Sequence, residues 1–263
     1  MLKTILFFFL CLCSGAFFNR IIVTNKLIKI PSYIFSVIFI IISLPIISHP
    51  SSSVILITTI VLIATYNEVI QFNSQYKKLI IFKSGFFIGL ITVLDINFWI
   101  FYLLILFGLF YYKEFSWRHF IIQLLGLVCP LIFYYNFKLL DFDIINLMYT
   151  NQYSLNPSTN ILRKHPIFLS SLSILLILAL NELYNKYYKK TEHAKKGFIM
   201  SFIIIPIIIL QMIFSHSLQF CYFLTLPITI LIGNYLIYIK QVYFRTFLLG
   251  LLFISFLFDI FYL

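Results

Sequence analysis

The densest collection of chemically capable side chains lies between residues 139 and 166. It holds Asp141, Asp143, Asn146, Tyr149, Asn151, Gln152, Tyr153, Asn156, Asn160, Arg163, Lys164 and His165. Carboxylates accept hydrogen bonds from sugar hydroxyls, aromatic rings stack on sugar faces, and an arginine forks onto phosphate. Asp141 and Asp143 together also suit a general base or a divalent metal. The plainer reading is an interfacial helix capped by the two aspartates, with Phe142, Ile145, Met148 and Tyr149 turned to lipid. Asp95 and Asn97 mark a tight turn, where such side chains bond their own backbone. The chemical alternative for Asp95 is a poorly hydrated carboxylate with a raised pKa. His49, His165 and His216 lack the local spacing of a zinc site. Cys11, Cys13, Cys129 and Cys221 form no C-x-x-C pair. No P-loop, nucleophile elbow, H-E-x-x-H or dinucleotide fingerprint is present.

The elements that must position these residues are apolar runs. The chain is 62% hydrophobic and 10% charged, with a mean hydropathy of +1.03. An ordinary soluble domain carries about 25% charged residues. Ten runs can be drawn, near 4–18, 31–48, 53–67, 80–94, 98–112, 120–138, 167–181, 198–214, 218–239 and 246–262. They lack the alternation of strands, and lipid offers no partner to unpaired backbone groups outside helices and closed barrels. The expected fold is therefore all-α: a polytopic integral membrane helix bundle with about ten transmembrane helices, in a single membrane domain over 1–263. Several runs reach only about 15 residues, against the roughly 20 needed for the hydrocarbon core. Gly85 and Gly89 form a G-x-x-x-G that allows a second helix to approach closely. Pro45, Pro130, Pro206 and Pro227 are expected to kink helices.

Charge assigns the sides. All four glutamates (Glu68, Glu114, Glu182, Glu192) fall in one alternating set of inter-run loops, and all four aspartates (Asp95, Asp141, Asp143, Asp259) in the other. The glutamate side also holds fifteen of the 19 lysines and arginines, counting Lys83 with the loop it follows. Basic residues mark the cytoplasmic side, so the aspartate loops, including 48–52, 95–97, 139–166 and 215–217, face outward. The pI of 9.4 then reflects anchoring to anionic lipid, at about 1 kcal/mol per side chain, and nucleic acid is not expected as a partner. Lys3 followed by an apolar stretch resembles a signal peptide, but cleavage near Gly15 would reverse every later loop. Two readings remain for the first run: it inserts with its N-terminus outside, or a further helix precedes it.

The segment Asn19–Leu27, reading N-R-x-x-V-x-N-x-L, resembles an uncharacterised family of bacterial multi-pass inner-membrane proteins. So do Lys83–Leu90, Phe115–His119 and Leu125–Pro130, so that the likeness covers about residues 19–135. The resemblance implies an extra N-terminal helix and a shape similar to membrane glycosyltransferases that use polyprenyl-phosphate sugars. Those enzymes carry an acidic residue in their first outside loop, and Ser48–Ser52 has none.

The expected function is that of a bacterial cytoplasmic-membrane protein of the cell envelope, glycosyltransferase-like, acting on a polyprenyl-phosphate-linked sugar at the outer face. Asp95, Asp141 and Asp143 are its catalytic candidates, and His49, Arg163 and His216 its substrate-binding candidates. All six fall in outward loops, so the expected site is their convergence at the outer mouth of the bundle. Membrane lipids are the other expected partners, and no cofactor is legible. The alternatives are a non-catalytic scaffold or subunit of an envelope complex, and a lipid transporter. Nearly uncharged run centres disfavour the transporter.

Overall fold

A computed structural model describes residues 2–28, 32–48, 52–72, 74, 76–139, 165–215 and 218–262. These residues build ten α-helices: α1 (Leu2–Thr24), α2 (Ile34–Ser43), α3 (Ser52–Ile70), α4 (Lys77–Leu94), α5 (Tyr102–Tyr111), α6 (Trp117–Leu139), α7 (Pro166–Lys186), α8 (Glu192–Ser215), α9 (Thr225–Tyr238) and α10 (Val242–Tyr262). The residues described carry no strand, in keeping with the all-α expectation.

The expected count of about ten spans is corrected. Among the described residues six helical stretches are long and apolar enough to cross a membrane: Ile5–Thr24, Trp117–Phe137, Pro166–Lys189, Glu192–Ser215, Phe220–Tyr238 and Val242–Asp259. Three shorter apolar helices, Ile34–Ile46, Val54–Ile70 and Ile96–Tyr111, accompany them. Their apolar stretches, of 10–17 residues, are shorter than those six. α4 is long enough but carries Lys77, Lys78 and Lys83. The first run is also longer than expected, continuing from Leu2 to Thr24.

Three runs divide into an α-helix and a 3-10 segment. Leu44–Ser48 follows α2, Ile96–Phe101 precedes α5, and Leu218–Leu224 precedes α9. Proline suits such ends, because Pro45 and Pro227 sit where a ladder donor is not required. Pro130 and Pro206 lie inside continuous helices. The 3-10 segments before α5 and α9 meet through four rings. Phe98 stacks edge-on to Phe220 and Phe223 at 5.5 Å each, and Phe101 to Phe223 at 5.7 Å.

One continuous apolar cluster runs from Phe7 to Phe256, while Phe9, Leu125, Phe133, Phe247 and Ile254 stand exposed on the helix surfaces. Large apolar side chains inside and outside at once are the mark of a chain solvated by lipid. Buried hydroxyls bond back along their own helices, Thr58 to Val54 O at 2.8 Å and Thr65 to Val61 O at 2.9 Å. The protein is thus a multi-span membrane protein. α4 and α6 approach backbone to backbone. A Cβ on Gly85 would strike Gln123 O, one on Gly89 would lie 2.5 Å from Leu127 O, and one on Gly126 would strike Phe82 O. The G-x-x-x-G reading holds, with Gly126 as its counterpart on the partner helix.

The helices alternate in direction, so one end of the bundle collects their basic termini. There Asn25 Nδ2 donates to Asn67 Oδ1 at 2.7 Å, and Gln71 Nε2 donates to Asn25 Oδ1 at 3.0 Å. These amides tie the C-terminal ends of α1 and α3 together, so α1 runs parallel to α3 and starts at the opposite, less basic end. Tyr66 adds a second tie, donating to Gly197 O at 2.9 Å with Ser201 Oγ 3.0 Å away.

Candidate functional site

The less basic end holds Asp95, the one expected site residue that lies among the described residues. Asp95 lies there between α4 and the Ile96–Phe101 segment. Its Oδ1 accepts the Asn97 N–H at 2.9 Å, and its carbonyl accepts the Phe98 N–H at 3.0 Å. Burial pushes the carboxyl above its ordinary range, against the lowering pull of the Asn97 hydrogen bonds. The turn reading therefore describes its contacts. Asp141, Asp143, His49, Arg163 and His216 lie outside the described residues, as does the proposed interfacial helix at the Asp141–Asp143 pair.

A different carboxylate organises the described part of this end. Pro166 opens α7, where proline's fixed φ suits the first helical position. The next N–H groups need an acceptor. It comes from α10: Asp259 Oδ1 accepts the Ile167 N–H at 3.2 Å and Oδ2 the Phe168 N–H at 2.9 Å. The Asp259 side chain is fully buried. A carboxylate at a helix N-terminus satisfies free donors and faces the positive end of the helix dipole. His165 Nδ1 stands 4.0 Å from Asp259 Oδ2, and its ring packs 5.6 Å from that of Phe256. One turn deeper, Ser171 and Ser255 hydroxyls meet at 2.9 Å. Two polar contacts, one turn apart, thus lock α7 against an antiparallel α10.

Beside this lock lies a cavity of about 290 Å³, walled by α2, α7, α8, the Leu218–Leu224 segment and α9. Its lining is mainly apolar, including Ile42, Phe168, Leu172 and Ile228. His165, Cys221, Tyr222 and Thr225 supply its polar groups. The Thr225 hydroxyl is buried and has no hydrogen-bond partner among the described residues. A mainly apolar cavity with a few polar groups has the character of a site for an amphiphile. Among the described residues no three His, Cys, Asp or Glu side chains gather as metal ligands.

Sequence reasoning placed Asp259 on the aspartate side and gave it no role. Two signals pointed to one: it is the lone acidic residue near the last apolar run, and Pro166 announces a helix start needing acceptors. Their pairing spans more than 90 residues of chain, and no local pattern encodes that. Three of the expected residues are nevertheless chain neighbours of the cavity. His49 follows Pro45, Arg163 precedes His165, and His216 precedes Cys221, each within five positions. Asp95 is not among the lining residues.

No functionally curated protein and no solved structure matches the chain. A family match covers residues 1–262, far more than the 19–135 on which the resemblance rested. By that match the chain belongs to a family of unknown function, DUF6427.

Proposed function

We propose that this is a bacterial cytoplasmic-membrane protein that takes the apolar chain of an envelope amphiphile, of the polyprenyl-phosphate-sugar class, into the cavity at its less basic end. The observation that carries the reading is the Thr225 hydroxyl, buried and without a partner among the described residues, in a mainly apolar cavity of about 290 Å³. A buried hydroxyl without a partner costs about 1–3 kcal/mol, and a polar group on a bound amphiphile would recover that. The positive-inside rule assigns the basic end to the cytoplasm, so the cavity faces outward. In this reading Asp141, Asp143 and Arg163 lie on the outward segment that leads into His165. There they would bind sugar and phosphate or serve proton transfer, with His49 and His216 flanking and Asp95 nearby at the same end.

The test is binding to the full chain in nanodiscs, with a short-chain polyprenyl phosphate as probe. Ile228→Trp fills the cavity and should weaken binding about tenfold or more, the equivalent of roughly 1.4 kcal/mol. Unchanged binding would overturn the cavity reading and leave the scaffold alternative. Paired Asp141→Asn and Asp143→Asn variants then test the carboxylates: lost glycan transfer with retained binding gives them the catalytic role, and unchanged transfer removes them from it.

A further inference from the structure

Four lysines converge at the opposite, basic end. Lys186 leaves the end of α7, Lys189 and Lys190 follow in the turn to α8, and Lys240 comes from the link between α9 and α10. They line a pocket of about 330 Å³ together with Thr191. Leu27, Ala194 and the Tyr238 ring form its apolar wall. Lys190 is held in place: its Nζ donates to Oδ1 of Asn234, a buried amide on α9, and sits 4.0 Å over the Tyr238 ring centre. Lys186 pairs with Glu182 at 2.5 Å. Thr191 Oγ1 accepts the Ala194 N–H at 3.4 Å, which leaves its own proton free to donate. The pocket also borders the first turn of α8, whose dipole favours an anion. Glu192, the acid of that turn, is exposed and pairs with Lys195 at 3.2 Å. Among the described residues the lining contains cations and no carboxylate, and Glu182 meets Lys186 from outside it.

We propose that this lysine pocket binds a phosphate group, and that the group belongs to the headgroup of an anionic phospholipid. The ammonium groups of Lys189 and Lys240, a hydroxyl donor and a helix N-terminus match a phosphate, with the charge of the Asn234-held Lys190 beside them. The apolar wall and the position at the ends of membrane-spanning helices match a lipid. Exposed Tyr184 and Tyr188 flank the site, as aromatic side chains do at the membrane interface. The site is distinct from the cavity at the other end and does not depend on it.

The experiment is native mass spectrometry of the delipidated full chain in neutral detergent with phosphatidylglycerol and phosphatidylcholine in equal amounts. The wild type should retain phosphatidylglycerol at roughly fivefold excess or more. Lys189→Gln with Lys240→Gln should abolish the preference. Lys78→Gln with Arg118→Gln removes as many charges from the same end and should preserve it. Displacement of the lipid by millimolar inorganic phosphate would confirm the phosphate site and assign it to a soluble phosphoester. Equal retention of both lipids with no effect of phosphate would overturn the proposal, as would an equal loss in the two double variants. If the pocket variant does not fold, Lys189→Gln compared with Lys189→Arg makes the same decision: the glutamine should lose the preference and the arginine keep it.

Discussion

Asp259 sits in a fully buried position, where two backbone N–H groups of α7 donate to its carboxyl oxygens. Removing the acceptor leaves these buried donors bare, at about 1–3 kcal/mol each. Asp259→Ala should therefore destabilise the protein by about 2–4 kcal/mol. Asp259→Asn keeps one acceptor oxygen and should cost about half as much. Unfolding in graded SDS measures both; a loss under about 0.5 kcal/mol in the alanine variant would show that the cap is not structural. At this scale the sequence told which residues were chemically capable, and Asp95 and Asp259 do share one end of the bundle. It did not tell which of them meet. Asp95 meets its own turn, as the Asp95–Asn97 spacing indicated, because that contact is local. Asp259 meets a helix start more than 90 residues away, which only the packed fold decides.

Helix existence was legible because lipid leaves a hydrophobic backbone few other ways to satisfy its N–H and C=O groups. Helix length was less so. Composition alone reads Ile96–Tyr111 and Leu218–Tyr238 as plain helices, yet each begins with a 3-10 segment, and the Phe98, Phe101, Phe220 and Phe223 rings pack where those segments meet. A close neighbour for α4 was legible because small residues at four-residue spacing favour close helix approach, but that the neighbour is α6 was not. The contact also gives a contrast between glycines. Gly85 faces the Gln123 carbonyl so closely that an added methyl has no room, whereas Gly250 has nothing within 4 Å. Gly85→Ala should separate α4 from α6 and cost about 1–3 kcal/mol. Gly250→Ala should leave stability unchanged or raise it by up to about 1 kcal/mol. The same SDS titration reads both, and equal effects at the two positions would show that the α4–α6 approach does not limit stability.

The whole molecule is polarised along its helices. Lys26, Lys77, Lys113, Arg118, Lys186, Lys189, Lys190 and Lys240 gather at one end with the amide cluster of Asn25, Asn67 and Gln71. Asp95, Asp259 and the apolar cavity belong to the other end. Each basic side chain gains about 1 kcal/mol near an anionic leaflet, so inverting the protein would forfeit several kcal/mol at once. The antiparallel packing of α7 on α10, fixed by Asp259 and by the Ser171–Ser255 contact, and the parallel packing of α1 with α3 lock the helix directions together. Orientation is then a property of the entire bundle, and a single pair of reporters reads it. Tyr188 is 88% exposed at the basic end and Ile96 is 77% exposed at the other. Tyr188→Cys should react with a membrane-impermeant maleimide only after cells are opened, and Ile96→Cys should react in intact cells. The native cysteines set the background of the assay. Labelling of position 188 from outside would reverse the molecule. The cavity would then open to the cytoplasm, where a sugar carrier displayed on the outer leaflet is out of reach, and the lysine pocket would sit against the outer leaflet.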